Sequence, residues 1–258
     1  MTLSVAIITL NEEENLRRTL PSLQFADEVI VVDSGSIDKT VELARSFGAK
    51  VYEEPWKGYA GQKTSAIAKC TGDWSLSLDA DELVSPELAE QLRVLLPSNP
   101  PHDAYYLPRR NIIFGRWIRH GGFYPDSKLR LFRRGAATFG ARLVHETISF
   151  EGESDELEGA LVHYPYPTIA GFVEHMNRYS GLGSEMLAQQ GVVSRGYLTF
   201  VWNVVIRPVL QLKWNFWFRL GFLDGREGLM LHLYHAAYAS WKYAKAWEIG
   251  KARLKVKS

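Results

Sequence analysis

Hydrophobic positions along the chain follow two rhythms. In the first hundred residues, short apolar runs alternate with stretches of helical spacing. Residues 3–9 are apolar and β-branched and predict a buried strand. Residues 13–23 set Leu16, Leu20 and Leu23 on one helical face. Residues 28–32 predict a second buried strand, followed by a helix that Ser36 would cap, running to Phe47 with Gly48 as its stop. A short third strand is expected over 50–52, a helix over 59–70 and a fourth strand over 74–78. Ser85-Pro86-Glu87 joins a cap residue, a first-position proline and a first-turn acid, and the helix it starts runs to about Leu95. Strands alternating with helices at this spacing predict βαβ units, hence an α/β fold with a mostly parallel, Rossmann-like sheet flanked by helices.

Beyond the break at Pro97-Ser98-Asn99-Pro100-Pro101 the rhythm changes. Residues 104–109 and 128–133 predict strands around an irregular, glycine- and aromatic-rich stretch, 114–125. Helices are expected from Thr168 to about Gln190, over 198–222 and over 228–247. The expected organisation is an α/β domain over 1–165, with a ligand-binding half (1–95) and a second half (102–165), then a helical region over 166–258.

Charge sharpens that division. The chain of 258 residues has a formal net charge of +1, yet residues 196–258 carry +7 and residues 1–195 carry −6. The basic end also holds Trp202, Trp214, Trp217, Trp241 and Trp247, five of the eight tryptophans. No stretch there approaches the roughly 20 apolar residues that a spanning helix needs. Apolar and aromatic positions interleaved with Lys and Arg suit an anionic membrane surface; a helical cap or a subunit interface is the alternative. No nucleic-acid motif accompanies the basic residues, so no nucleic-acid partner is expected. The single cysteine, Cys70, permits no internal disulfide and fits a reducing compartment. The N-terminal run has neither the positive flank nor the cleavage site of a signal peptide, so a cytoplasmic location is expected.

Candidate chemistry gathers at the strand ends, where parallel sheets bind ligands. Asn11 and Glu12 close the first strand. Asp33, followed by Ser34-Gly35-Ser36, closes the second, and an acid there can accept hydrogen bonds from a base or ribose. Gly61-Gln62-Lys63 opens the third helix. Asp79-Ala80-Asp81-Glu82 closes the fourth strand, and two carboxylates one residue apart suit a hard divalent cation, Mg²⁺ or Mn²⁺, that shares its sphere with phosphates.

Taken in order, these four motifs over residues 3–95 resemble the donor-binding half of the family 2 glycosyltransferases, which have the GT-A fold. The resemblance implies that Asn11, with Glu12 beside it, and Asp33 line the base and ribose of a nucleotide-sugar. It places Lys63 near the base or the phosphates, Asp79 at the ribose or a metal-bound water, and Asp81 on the metal. Tyr124-Pro125-Asp126-Ser127-Lys128-Leu129-Arg130-Leu131-Phe132-Arg133, followed by Val144-His145-Glu146, looks like the bacterial branch acting on lipopolysaccharide core, which includes the core β-1,4-glucosyltransferase group. Gly221-Phe222-Leu223-Asp224-Gly225-Arg226-Glu227-Gly228 is similar to that branch as well.

An inverting transfer needs one general base. Glu146 is the first candidate and Asp126 the second. His145 would complete the metal sphere or hold a phosphate. Arg130 would neutralise the leaving diphosphate, or else pair with an acid. His163, His175, His232 and His235 show no ligand-like grouping beyond the i, i+3 pair His232/His235, and core or surface helix positions account for them. The expected partners are a nucleotide-sugar donor of the UDP-hexose class, a glycolipid or oligosaccharide acceptor such as lipopolysaccharide core, and the inner face of the cell membrane. Two other functions compete. A sugar-1-phosphate nucleotidyltransferase uses a similar sheet, but the acidic Glu12-Glu13-Glu14 stands where that class has Arg and Lys. A non-catalytic membrane-bound adaptor would keep only the nucleotide site.

Overall fold

Short apolar runs bury as strands because both of their faces are covered. The chain opens with strand β1 (Leu3–Thr9), helix α1 (Glu13–Thr19) and a 3₁₀ turn (Leu20–Leu23), then β2 (Glu28–Asp33), α2 (Thr40–Ser46), β3 (Lys50–Glu53), α3 (Gly58–Ala68) and β4 (Trp74–Asp79). A computed structural model describes residues 1–140, 147–150 and 152–255. Next come β5 (Glu82–Val84), α4 (Pro86–Leu95), β6 (Ala104–Leu107), β7 (Arg109–Ile113), β8 (Arg116–Trp117), β9 (Lys128–Arg133), β10 (Ala137–Gly140), β11 (Thr147–Phe150), β12 (Ser154–Glu156) and β13 (Leu161–Tyr166).

Seven strands form one sheet in the order β12-β6-β9-β4-β1-β2-β3. β1 pairs in parallel with β2 and β4, and β2 with β3, while β9 runs antiparallel between β4 and β6. Alternation along each strand feeds two cores. Val5, Ile7, Val31, Leu76 and Leu78 meet Leu16, Leu20, Leu88 and Leu92 on one face. Ala6, Ile30 and Val32 meet Ala66 and Cys70 on the other. The chain winds outward from β1 to β3 and then returns to the opposite side at β4. That reversal opens a crevice beyond the ends of β1 and β4, the usual binding position in open α/β sheets.

The α/β reading and the parallel sheet agree with the structure; several boundaries move. Ser36 does not cap α2. Asp38 accepts from the Thr40 N–H (3.0 Å) and hydroxyl (2.5 Å), and this local turn delays the helix until Thr40. Pro108, which has no N–H, separates β6 from β7 where one strand was expected. Ser85 does cap α4, accepting from Leu88 N–H at 3.2 Å.

The chain forms two compact units, residues 1–110 with 125–164, and residues 111–124 with 165–258. In the second, α5 (Ile169–Gln189) is followed by α6 (Tyr197–Val201), a π-helical turn (Trp202–Ile206), α7 (Arg207–Lys213), another π-helical turn (Trp214–Phe218), a 3₁₀ turn (Gly221–Asp224) and α8 (Gly225–Lys255). Ile113, Ile118, Phe172, Met176 and Leu231 are its core. Buried Asp224 accepts from the backbone of Arg119 (3.2 Å) and His120 (2.8 Å) and pairs with the His120 ring at 2.9 Å, so Gly221-Phe222-Leu223-Asp224 anchors the His120-Gly121-Gly122 loop.

Candidate active site

The β2 end is held by its own acid. Asp33, only 1% exposed, accepts from the Thr9 hydroxyl (2.8 Å), the Ser36 hydroxyl (2.5 Å) and the N–H groups of Gly35 (2.9 Å) and Ser36 (2.8 Å). Asn11 sits in the left-handed region at φ 56°, which its short polar side chain tolerates. Its backbone N–H donates to Ser36 Oγ (2.8 Å), and its side-chain amide oxygen Oδ1 accepts from Ile37 N–H (2.9 Å). The first two motifs are thus tied together, with Asp33 bracing the lip from below. Glu12 is half-buried and accepts from the Asn15 amide at 2.6 Å. Burial pushes its carboxyl up, the Asn15 hydrogen bond opposes this, and the charges of Asp81, Asp38 and Asp79 push the same way as burial.

Beneath β4 lies a chain of alternating charges: Lys63, Asp79, Arg130, Glu82, Arg109, Asp126 and Lys128. Lys63, buried midway along α3, donates to Asp79 at 2.8 Å. Arg130, on antiparallel β9, contacts Asp79 and donates to Glu82 at 2.6 Å. Arg109 joins Glu82 at 3.0 Å to Asp126, whose other oxygen takes Lys128 at 2.8 Å. Glu82 also accepts the Asp79 N–H at 3.1 Å, which closes the turn that carries the acids. Burial favours neutral acids here, but it is outweighed. Arg130 and Lys63 hold the Asp79 carboxyl far below the usual range. Arg130 and Arg109 lower Glu82 against both burial and the charge of Asp79. Burial would lower Arg130, yet Asp79 and Glu82 raise it.

Asp81 stands apart from this chain. Its carboxylate, 26% exposed, lies 3.4 Å from His163 Nε2 on β13, and no Lys or Arg pairs with it among the described residues. Its backbone oxygen accepts Tyr164 N–H at 3.0 Å, and the Thr19 hydroxyl donates to the Ala80 carbonyl at 2.7 Å, so the turn is pinned from two sides. No group of three or more His, Cys, Asp or Glu side chains suited to a metal occurs among the described residues. One open carboxylate with a histidine beside it fits a Mg²⁺ or Mn²⁺ ion that draws its remaining ligands from phosphates and water. His145 and Glu146 lie outside the described residues.

Of the sequence candidates, Lys63, Asp79, Arg130 and Asp126 meet in the charge chain, Asn11 and Asp33 in the lip, and Glu12 and Asp81 in the acidic mouth. Arg130 takes the alternative that its sequence left open, pairing with acids. Asp126 is a weak proton acceptor: burial raises it, but Arg109 and Lys128 bring it down to about 2. Glu82, Arg109 and His163 were missed. The signal available for Glu82 was its place directly after Asp81 at the head of an apolar pair, Leu83-Val84. His163 is found only through β13, whose register sets it opposite Glu82 on β5.

The glycosyl transferase family 2 model matches residues 4–151. The lipopolysaccharide core biosynthesis glycosyltransferase LpsC of Rhizobium meliloti is 31% identical over 95% of this chain and 92% of its own length. An uncharacterized glycosyltransferase of Rickettsia bellii is 37% identical over 73% of this chain and 68% of its own. Among solved structures, the mannosyltransferase PcManGT from Pyrobaculum calidifontis, in complex with GDP-Man and Mn²⁺, superposes with a TM-score of 0.56 at 16% identity over 95% of this chain and 86% of that one. TarS 1–349 of S. aureus with UDP-GlcNAc gives 0.51 at 16% identity, over 98% and 92%. At such identity these two speak for the fold alone, and it is the GT-A arrangement.

Proposed function

The chain belongs to glycosyl transferase family 2, and on that premise we propose that it moves a hexose from a nucleotide-sugar of the UDP class, with inversion, onto a cell-envelope glycan of the lipopolysaccharide-core type. The observation that carries this reading is the contrast between Asp79 and Asp81. Asp79 is neutralised by Lys63 and Arg130, whereas among the described residues Asp81 has the His163 ring and no Lys or Arg beside it. One acid of the pair braces the site and the other is free to act.

Asp81, with His163 at its side and His145 from the following motif, would hold the divalent cation, which supplies charge neutralisation to the leaving diphosphate when bound. The chain's own residues do the rest. Asn11 and the backbone of 34–37 offer polar groups to the base and ribose. Lys63 and Arg130 fix Asp79 in place beside the donor site. One base must take the acceptor hydroxyl proton, and the low basicity of Asp126 leaves Glu146 as the better candidate. An inverting transfer needs no second carboxylate nucleophile. Support for the acceptor class comes from LpsC, named for lipopolysaccharide core biosynthesis, and from the basic aromatic C-terminal unit, which suits work at the cytoplasmic face of the membrane.

Two variants test the reading. Asp81→Ala should reduce release of UDP from a UDP-hexose by about a hundredfold or more while the circular dichroism spectrum is retained. Undiminished turnover would remove Asp81 from the site. Glu146→Gln should lose turnover yet keep donor binding, measured as an unchanged rise in melting temperature on adding the nucleotide-sugar with Mn²⁺; unchanged turnover would exclude it as the base.

A further inference from the structure

The 22 residues from Tyr197 to Phe218 run as α6, a π turn, α7 and a second π turn. Their side chains repeat every four positions. Leu198, Trp202, Ile206, Leu210, Trp214 and Phe218 are all apolar and all exposed, with Leu198 at 82%, Trp214 at 58% and Phe218 at 73%. Two positions on from each of the first five, Phe200, Val204, Pro208, Leu212 and Phe216 are buried or half-buried. This inner stripe packs within the same unit: Phe200 against Trp247 at 5.2 Å, and Phe216 against His232 at 6.1 Å between ring centroids.

A four-residue repeat does not fit an α-helix. At 3.6 residues per turn each step overshoots by about 40°, and five steps would carry Phe218 about 200° round from Leu198. The outer stripe would then run into the packed side. The two π turns, with i→i+5 bonding and more residues in each turn, take up that drift. Both stripes therefore stay straight, one inward and one outward. A helix rarely departs from α geometry twice in this way without a use for it.

The outer face has a definite chemistry. From Tyr197 to Leu223 the chain contains Arg207, Lys213 and Arg219 and no acid. All three cations are exposed. Trp202, Trp214, Trp217 and Tyr197 supply the rings that settle at a headgroup boundary, with the exposed Lys213 and Arg219 near them in the chain, while the Arg207 guanidinium stacks on the ring of buried Tyr243 at 5.1 Å. No helix among the described residues is long and apolar enough to cross a membrane.

We propose that Tyr197–Phe218 is a membrane-docking helix, lying flat on an anionic bilayer with the Leu198–Phe218 stripe among the upper acyl chains and Lys213 and Arg219 on lipid phosphates. The proposal names the docking element and its geometry and stands independently of the transfer chemistry.

Flotation of the full chain with vesicles tests it. The protein should float with phosphatidylglycerol–phosphatidylethanolamine vesicles, float far less with phosphatidylcholine alone, and detach as salt is raised. The triple variant Leu198→Ser, Trp214→Ser, Phe218→Ser should lose flotation, while Lys213→Gln alone should weaken it about fivefold. The donor-induced rise in melting temperature should be unchanged in both, which separates this result from any failure of the catalytic reading. Should the triple variant not fold, quenching of wild-type tryptophan fluorescence by brominated acyl chains gives the same answer. A wild-type protein that ignores anionic vesicles overturns the proposal. Sedimentation as a dimer that Trp214→Ser splits, without vesicle binding, would assign the face to a second copy of the chain instead.

Discussion

Glu82 shows how much one side chain can settle. It is fully buried, faces two guanidinium groups and accepts the N–H of Asp79. Removing one member of a buried ion network strands the others, a cost of about 3–5 kcal/mol. Glu82→Gln keeps the shape but not the charge, and urea unfolding should show a loss toward that size. The depressed acids also fix the sign of the acid response. Against burial, Arg109 and Lys128 hold the Asp126 carboxyl down to about 2, from an ordinary 3.8, and Asp79 and Glu82 are lowered as well. Their folded pKa values lie below the unfolded ones, so their stabilising effect is complete above about pH 5 and drains away as pH falls toward 2. Unfolding midpoints measured from pH 7 to pH 2 should decline through that window, and Asp126→Asn should flatten part of the decline. A profile that is flat down to pH 2 would show that these pairs contribute no net stability.

At the scale of elements, the β-strands and the capped helix α4 were legible because their residues agree locally and globally: buried runs of Val, Ile and Leu, and Ser85-Pro86 where a helix begins. The π turns were not legible. A four-residue stripe reads as an ordinary amphipathic helix until it is laid on real backbone. The strand pair β5 and β13 was hidden for another reason: three residues are too short for periodicity, and the partner lies some eighty residues away. The same distance concealed His163 beside Asp81. Glycine placement was legible as a turn but not as a packing demand. A Cβ at Gly121, already at φ 68°, would come within 2.1 Å of the buried His232 ring. Gly121→Ala should therefore lower stability by about 1–3 kcal/mol, seen as a lower melting temperature. Adding His232→Ala should recover part of the loss, because the two side chains contend for one space.

Over the whole molecule the charge is sorted more sharply than a division at residue 195 suggests. The unit holding the crevice has 16 Lys and Arg against 24 Asp and Glu, a net of −8; the other has 14 against 5, a net of +9. An acidic unit is an odd host for a diphosphate until its charge chain is considered. Lys63, Arg109 and Arg130 pair with Asp79, Glu82 and Asp126, so three of the acids at the crevice are already neutralised before a diphosphate arrives. A nucleotide diphosphate with Mn²⁺ should thus protect the amides of β1, β2 and β4 from hydrogen exchange while leaving those of α5 and α8 unchanged.

The same sorting has a colloidal consequence. A chain with near-zero total charge and a sequence pI of about 7.8 has little long-range repulsion between molecules at neutral pH. Its acidic unit can attract the basic unit of a neighbour at distances that low salt leaves unscreened. Such a protein should salt in: turbidity is expected in dilute buffer, clearing as ionic strength shortens the screening length to about 8 Å near physiological conditions.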